Sequence, residues 1–314
     1  MEKLISFYNL CTKNLLPKDK WMVLQQHNIW IQELISKNLL QEELDKFGET
    51  IITRHVDCEM YYNLKNQFPE LYNKSLIHHK GLYEELVCNN LSKISIPDIF
   101  KITGLKLDDN TIVPHTAYRI GYNKHKINSV NLKNKKNIYL EIGGGFGLLA
   151  YLQNRDTNCC YIIVDIPNVG ILSGFFLMSL GLKVCFYGEY DVLNEELFNN
   201  YDIIIIPPNE MENIPKNSCD FIINTASFTE MSKESIMYYI KQVNRIRPQY
   251  LYTDGHLNSQ NDPTLQEAIN NYLYNYSVCF KNKTPIIYDD PPILPNTNSA
   301  SVFEERMYKN LDVI

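Results

Sequence analysis

The sequence predicts an α/β protein, a doubly wound parallel sheet preceded by a mainly helical N-terminal region. Three observations carry that prediction. Short apolar runs alternate with helical patterns from Asn137 onward; a glycine cluster follows the first run, Glu141-Ile142-Gly143-Gly144-Gly145-Phe146-Gly147; and the second run, Tyr161-Ile162-Ile163-Val164-Asp165, ends on a carboxylate. Strands alternating with helices bury a parallel sheet between helical layers. A strand, a tight glycine turn, a helix and a second strand ending on an acid bind a nucleoside-bearing ligand at the strands' carboxyl ends.

From the N-terminus, Leu4 to Phe47 reads as helices. Trp21, Leu24, Ile29, Trp30, Leu34 and Ile35 recur near helical spacing, Pro17 with Lys18 and Asp19 marks a start, and Gly48 a stop. Helix continues from Ile51 to Leu91 with a polar interruption between Asn66 and Pro69. Between Ser92 and Asn134, Pro97, Gly104, Pro114 and Gly121 predict irregular connections or short strands. The expected division is a helical region over 1–134, covering an acceptor or making homodimer contacts, and a sheet domain over 135–314. After Asp165 a helix runs through Phe175, Phe176 and Leu180. Leu182 to Tyr187 and Ile203 to Ile206 both qualify as the third strand, and periodicity leaves the choice open. Cys219 to Asn224 is a fourth strand, Glu234 to Arg247 an amphipathic helix, Tyr250 to Asp254 a fifth strand, Thr264 to Tyr276 a helix, and Ser301 to Met307 a closing strand.

The turn narrows the ligand. A dinucleotide seats its pyrophosphate on a helix N-terminus behind Gly-x-Gly-x-x-Gly, with no anion beside it. Here only Phe146 separates Gly145 from Gly147, and the first strand ends on Glu141, which repels a pyrophosphate and welcomes a cation. S-adenosylmethionine carries an ammonium and a sulfonium and no phosphate. Glu141-x-Gly143-x-Gly145-x-Gly147 followed by Asp165 is similar to the first two cofactor motifs of class I methyltransferases. That likeness implies a Rossmann-like sheet of the class I methyltransferase type, with S-adenosyl-L-methionine as cofactor. The residues expected around it are Glu141, Gly143, Gly144, Gly145 and Gly147 at the turn and Asp165 on the ribose hydroxyls, with Ile166 beside it. Asn209 would sit over the adenine if Ile203 to Ile206 is the sheet's third strand, and Asn224 and Thr225 stand at the fourth strand's end. A nicotinamide dinucleotide site and a plain glycine-rich turn are the alternatives.

The fourth strand delivers Asn224-Thr225-Ala226-Ser227-Phe228-Thr229-Glu230-Met231 to the same edge. With Leu140 to Gly147 and Val164-Asp165-Ile166-Pro167, this segment resembles a family of sugar O-methyltransferases over roughly the last two thirds of the chain. The resemblance implies a sugar hydroxyl, in a glycan or nucleotide-sugar, as acceptor. Such a hydroxyl is a weak nucleophile until a base takes its proton. Glu230 and His256, just beyond the fourth and fifth strands, are the candidate catalytic bases. Their structural readings are a carboxylate complementing a helix start and an exposed loop histidine. His115 with Arg119 is a third constellation, a phosphate fork or a surface ion pair. Glu304-Glu305-Arg306 lines a pocket or, as the preferred reading, decorates an edge strand. No metal is expected, because Asp254 and His256 lack the further oxygens a hard cation needs. A methyltransferase for another small molecule or a peptide shares the same cofactor half. A catalytically silent protein of this fold would also keep the glycines and Asp165.

Bulk properties limit the partners. The 314 residues carry a net charge of −6, which argues against nucleic acid as the main partner. No stretch reaches the roughly 20 apolar residues of a membrane span; Val169 to Leu182 comes nearest and is interrupted by Gly170, Ser173, Gly174, Ser179 and Gly181. Met1 to Leu16 lacks the apolar core of a signal peptide. The scattered cysteines form no Cys-x-x-Cys pair and read as reduced thiols, which points to a cytoplasmic protein.

Overall fold

The computed structural model describes residues 1–14, 30–46, 64–88, 93–108, 110–130, 132, 136–256, 262–284 and 303–312. The helix signals at Pro17, Trp21, Leu24, Ile29 and Gly48 lie outside the described residues. The chain divides into two compact units, one drawn from residues 1–32, 132–284 and 301–314, the other with its described residues between 33 and 131. Helix α1 (Glu2–Asn14) goes with the first, burying Leu4, Phe7, Tyr8 and Cys11 at the spacing of one helical face.

The smaller unit holds α2 (Leu40–Asp45), α3 (Pro69–Cys88), a three-stranded antiparallel sheet and α4 (Ala117–Asn128). The sheet is ordered β1-β3-β2, from β1 (Ile96–Pro97), β2 (Gly104–Lys106) and β3 (Thr111–Pro114). Ser92 to Asn134 therefore contains the short strands expected of it and also a helix that was not. Gly121 disguised α4: a glycine weakens a helical pattern, but here any Cβ would run into Ile94. The Tyr118 ring stacks on His79 at 4.9 Å, and its hydroxyl donates to the His79 carbonyl at 2.8 Å. The His115 ring lies 4.3 Å from that of His79. Burial, with a smaller push from a neighbouring histidine, lowers His79 to about 4 and His115 to about 2. His115 is a neutral core ring of this unit.

The larger unit carries, in order, β4 (Asn137–Ile142), α5 (Leu148–Asp156), β5 (Cys159–Val164), α6 (Pro167–Ser179), β6 (Val184–Phe186), α7 (Glu195–Asn200) and β7 (Ile203–Ile206). Then come β8 (Phe221–Thr225), α8 (Lys233–Ile246), β9 (Tyr250–His256), α9 (Asp262–Tyr272), β10 (Tyr276–Thr284) and β11 (Phe303–Asn310). They form one eight-stranded sheet ordered β10-β11-β9-β8-β4-β5-β7-β6. All neighbours are parallel except β11, which runs antiparallel to both β9 and β10. Both third-strand candidates are strands. Ile203–Ile206 takes the place beside β5, as four isoleucines suit a strand buried on both faces, and Val184–Phe186 lies outside it.

One sheet face, with Leu140, Ile142, Ile162, Val164, Ile222 and Leu251, shares an apolar cluster with Ile236, Ile240 and Val243 of α8. Those positions give α8 its helical periodicity. Two expectations at the C-terminal side need correction. Tyr276 begins β10 rather than ending a helix; an edge strand with Val278 and Cys279 exposed needs no continuous apolar run. Strand β11 is interior, so Glu304-Glu305-Arg306 does not decorate an edge. Arg306 pairs with Glu304, and the Tyr252 hydroxyl donates to Glu305 at 3.0 Å. Among the described residues no helix is long and apolar enough to cross a membrane.

Helix α6 meets α1 through two glycines. A Cβ at Gly170 would press on the Phe7 ring, and one at Gly174 on Phe186 and Leu4. Gly174→Val should therefore destabilise the protein by about 1–3 kcal/mol through overpacking, read as a lower midpoint in urea with an unchanged slope.

Candidate functional site

From β4 the chain works through β5 and β7 to one side of the sheet, and from β8 through β9 and β11 to the other. The carboxyl ends of strands flanking such a switch point form the crevice where open α/β sheets bind ligands. Glu141 and Thr225 meet there: Thr225 Oγ1 donates to Glu141 Oε1 at 3.1 Å. On the same face, one pleat earlier, Tyr161, Tyr139, Phe221 and Tyr250 stand in register as a row of stacked rings, with centroids 5.9, 6.0 and 5.6 Å apart. The Tyr161 hydroxyl reaches up from that row and donates to Glu141 Oε2 at 3.0 Å.

Glu141 is only 1% exposed, and among the described residues its partners are two hydroxyls and no cation. Desolvation pushes its carboxyl up to about 7, against the pull of both hydrogen bonds, and Asp165 adds a further rise. Asp165, just past β5, is buried too. Its Oδ2 accepts from the Gly145 amide at 3.0 Å and its Oδ1 from the Ile166 amide at 2.8 Å. Burial lifts this carboxyl to about 7 as well, and the charge of Glu230 contributes to the rise. Two buried carboxylates, of which Asp165 raises the proton affinity of Glu141, with no cation among their described partners, make a site that favours positive charge.

The glycine turn wraps these acids. Gly143, Gly145 and Gly147 all have positive φ, at +76°, +55° and +89°. A Cβ on Gly143 would strike Ser227, whereas one on Gly145 meets nothing within 4 Å, so the Gly145 backbone borders open space. A Cβ on Gly144 would come within 3.3 Å of Glu141 Oε2.

The turn after β8 is fastened to the end of β4. Asn224 Nδ2 donates to the Ile142 carbonyl at 2.9 Å and to Ser227 Oγ, Ser227 Oγ donates to the same carbonyl at 2.8 Å, and Asn224 Oδ1 accepts from the Phe228 amide at 3.2 Å. The Asn224 amide is thus spent within the protein. Ala226 is held left-handed at φ +65°, and a 3-10 turn, Ser227–Glu230, ends on the exposed Glu230. On the other flank the Asp165 amide donates to the Ile206 carbonyl at 3.2 Å. Asn209, in the 3-10 turn Pro208–Asn213, consequently leaves the strand adjacent to that of Asp165. Ile166 is buried and precedes α6.

The structure brings together Glu141, the glycines, Asp165, Ile166 and Thr225, with Glu230 acting on Asp165 through its charge. His256 ends β9 opposite Phe303, and its side chain lies outside the described residues. Tyr161 and Ser227 belong to the surroundings, and the sequence assigns neither a role. Alternation alone could have found Tyr161, two residues before the Ile163 that pairs with Glu141. Asn168 is 1% exposed, and among the described residues neither of its amide atoms has a hydrogen-bond partner. No group of three or more His, Cys, Asp or Glu among the described residues is placed to hold a metal ion.

The sheet with its glycine turn is a Rossmann-like fold of the class I methyltransferase type. Solved structures similar to the chain include a geranyl diphosphate C-methyltransferase from Streptomyces coelicolor, in complex with Mg2+, a geranyl diphosphate analogue and S-adenosyl-L-homocysteine. It is 8% identical, with a TM-score of 0.44 over 62% of this chain and 77% of that one. A TehB-like SAM-dependent methyltransferase from Corynebacterium glutamicum is 10% identical, with a TM-score of 0.38 over 60% of this chain and 86% of that one. The 4+2 cyclase SpnF is 10% identical, with a TM-score of 0.43 over 60% of this chain and 80% of that one. No family model matches the sequence, and no curated protein does either. At this distance function has to be read from the site.

The raised carboxyls fix a pH dependence. Unfolded Glu and Asp titrate near 4, so between about pH 4 and 7 the folded chain binds more protons at Glu141 and Asp165 than the unfolded chain does, and stability falls as pH rises. Glu141→Gln should remove the Glu141 share of that fall in thermal unfolding scans of the ligand-free protein between pH 4.5 and 7.5. A second expectation concerns Asn168→Leu, which removes a buried unsatisfied amide and should leave stability unchanged or raised; a fall of the melting temperature by several degrees would show that the amide is bonded.

Proposed function

We propose that the chain is an S-adenosylmethionine-dependent O-methyltransferase acting on a sugar hydroxyl of a glycan or nucleotide-sugar. The observation that carries the cofactor half is the pair of buried carboxylates, Glu141 and Asp165, at a glycine turn where no described cation meets them. A ligand bearing an ammonium and a sulfonium supplies the missing charge, whereas a pyrophosphate would add to the repulsion. When bound, the cofactor supplies an electrophilic methyl group. Glu141 would hold its cationic end. Asp165, whose two oxygens keep accepting capacity beyond the backbone amides they take, would bind the ribose hydroxyls. The open side of Gly145 leaves the backbone room to approach the ligand, and Ile166 and Asn209 would flank the base.

The sugar acceptor is supported by the likeness of the stretches around Glu141, Asp165 and Asn224 to sugar O-methyltransferases. On the protein's side the remaining task is to take the hydroxyl proton, which a positioned base accelerates by about 10²–10⁴-fold. Glu230 is the favoured base. It is exposed beside the β8 turn and acts on Asp165 through its charge, so an acceptor and the cofactor site are both within its field. His256 is the competing base.

Labelled S-adenosylmethionine offered with a panel of nucleotide-sugars and glycans tests the reading. Label should pass to a sugar hydroxyl, and transfer only to a peptide or a non-sugar small molecule would overturn the acceptor assignment. Asp165→Ala should weaken cofactor binding about 10-fold or more, as expected for hydrogen bonds to a charged group. Glu230→Gln should lower turnover about 10²-fold or more at near-normal cofactor affinity. If His256→Ala has that effect instead, the base is His256.

A further inference from the structure

Resting on the assignment of Glu141 to the cationic end of the cofactor, we infer that Tyr161 and Thr225 are positioning residues that hold the Glu141 carboxylate in one orientation and in its charged form. The two hydroxyls reach it from opposite neighbours in the sheet, Tyr161 from β5 at 3.0 Å to Oε2 and Thr225 from β8 at 3.1 Å to Oε1. Each carboxylate oxygen is tied to a different strand, so rotation about the last side-chain bond breaks both contacts. The Tyr161 donor is itself held by packing. Its side chain is wholly buried, and its ring stacks on Tyr139 at 5.9 Å with planes 21° apart.

A hydroxyl donor stabilises a carboxylate more than a neutral carboxylic acid. The groups acting on Glu141 are few. From β5 and the residue after it come Tyr161 and Asp165, and from β8 comes Thr225. Glu230, in the turn after β8, acts on Asp165. Asp165 opposes ionisation of Glu141, as burial does, so among these groups the two hydroxyls alone favour the charged form that a cationic ligand needs. Thr225 also precedes the left-handed Ala226. The carboxylate is thereby attached to the strand end that leads into the turn carrying Glu230.

The test is calorimetric titration of the full chain with S-adenosylhomocysteine, which keeps the ammonium, from pH 5.5 to 8.5. Wild-type affinity should rise with pH through a midpoint near 7. Tyr161→Phe, which keeps the ring and the stack, should move that midpoint up by about one pH unit, the size expected when one hydrogen bond to a charged group is lost. Affinity above the new midpoint should stay within a few-fold of wild type. Thr225→Val should shift it in the same direction and Thr225→Ser should restore it. In a Glu141→Gln background, Tyr161→Phe should move nothing, because the residual dependence belongs to Asp165. An unmoved midpoint in Tyr161→Phe, or an equal loss of affinity at every pH, would overturn the positioning role while leaving the cofactor assignment standing. A wild-type chain that binds no S-adenosylhomocysteine at any of these pH values would overturn both.

Discussion

Two carboxylates buried at the switch point of the sheet, without a described counter-charge, are the constraint on which the rest of the larger unit depends. Holding Glu141 and Asp165 out of water raises both to about 7. A rise of that size from a value near 4 corresponds to roughly 3–4 kcal/mol per group of cost for keeping the charge at neutral pH. That figure is what remains after the backbone amides at Asp165 and the hydroxyls at Glu141 have already lowered it. These donors leave room for a cationic ligand to supply the remainder.

The architecture gives these acids a rigid support. The sheet face opposite the site packs on α8 through aliphatic side chains, and the face that carries the site is floored by the stacked rings of Tyr161, Tyr139, Phe221 and Tyr250. Above that floor the polar groups are connected to one another: Tyr161 to Glu141, Glu141 to Thr225, and Asn224 with Ser227 to the end of β4. Buried polar groups in a network of this kind stay where they are because any displacement leaves a donor or acceptor unsatisfied. The strained backbone of Ala226 lies in the same turn, as strain at functional positions often does when the surroundings over-determine it.

The sheet's parallel strands were legible because buried parallel strands write continuous apolar runs, and the turn was legible because glycines and an acid stand at fixed places between them. The misses have physical causes. Helix α4 was hidden by Gly121, which close packing against Ile94 requires. Strand β10 is a half-exposed edge with no apolar run to announce it. The two candidates for the third strand could not be ordered from periodicity, since both are short and apolar; only the pairing of Ile203–Ile206 with β5 decides which one sits beside Asp165. In the site, Glu141 and Asp165 declared themselves by position. The roles of Tyr161 and Ser227 did not, because they depend on cross-strand neighbours that a single sequence does not display. The smaller unit's His115, which the sequence sets beside Arg119 as a phosphate fork or a surface ion pair, is packed against His79, and burial keeps it neutral.

Whether the buried acid pair receives a positively charged ligand is answered by counting protons on binding. Calorimetric titration with S-adenosylmethionine at pH 7, in two buffers of different ionisation enthalpy, gives that number. Net proton release is expected, approaching one per binding site, because a cationic ligand drives Glu141 and Asp165 from partly protonated to ionised. Binding with proton uptake or with no proton exchange, or tight binding of NADH in place of S-adenosylmethionine, would contradict it.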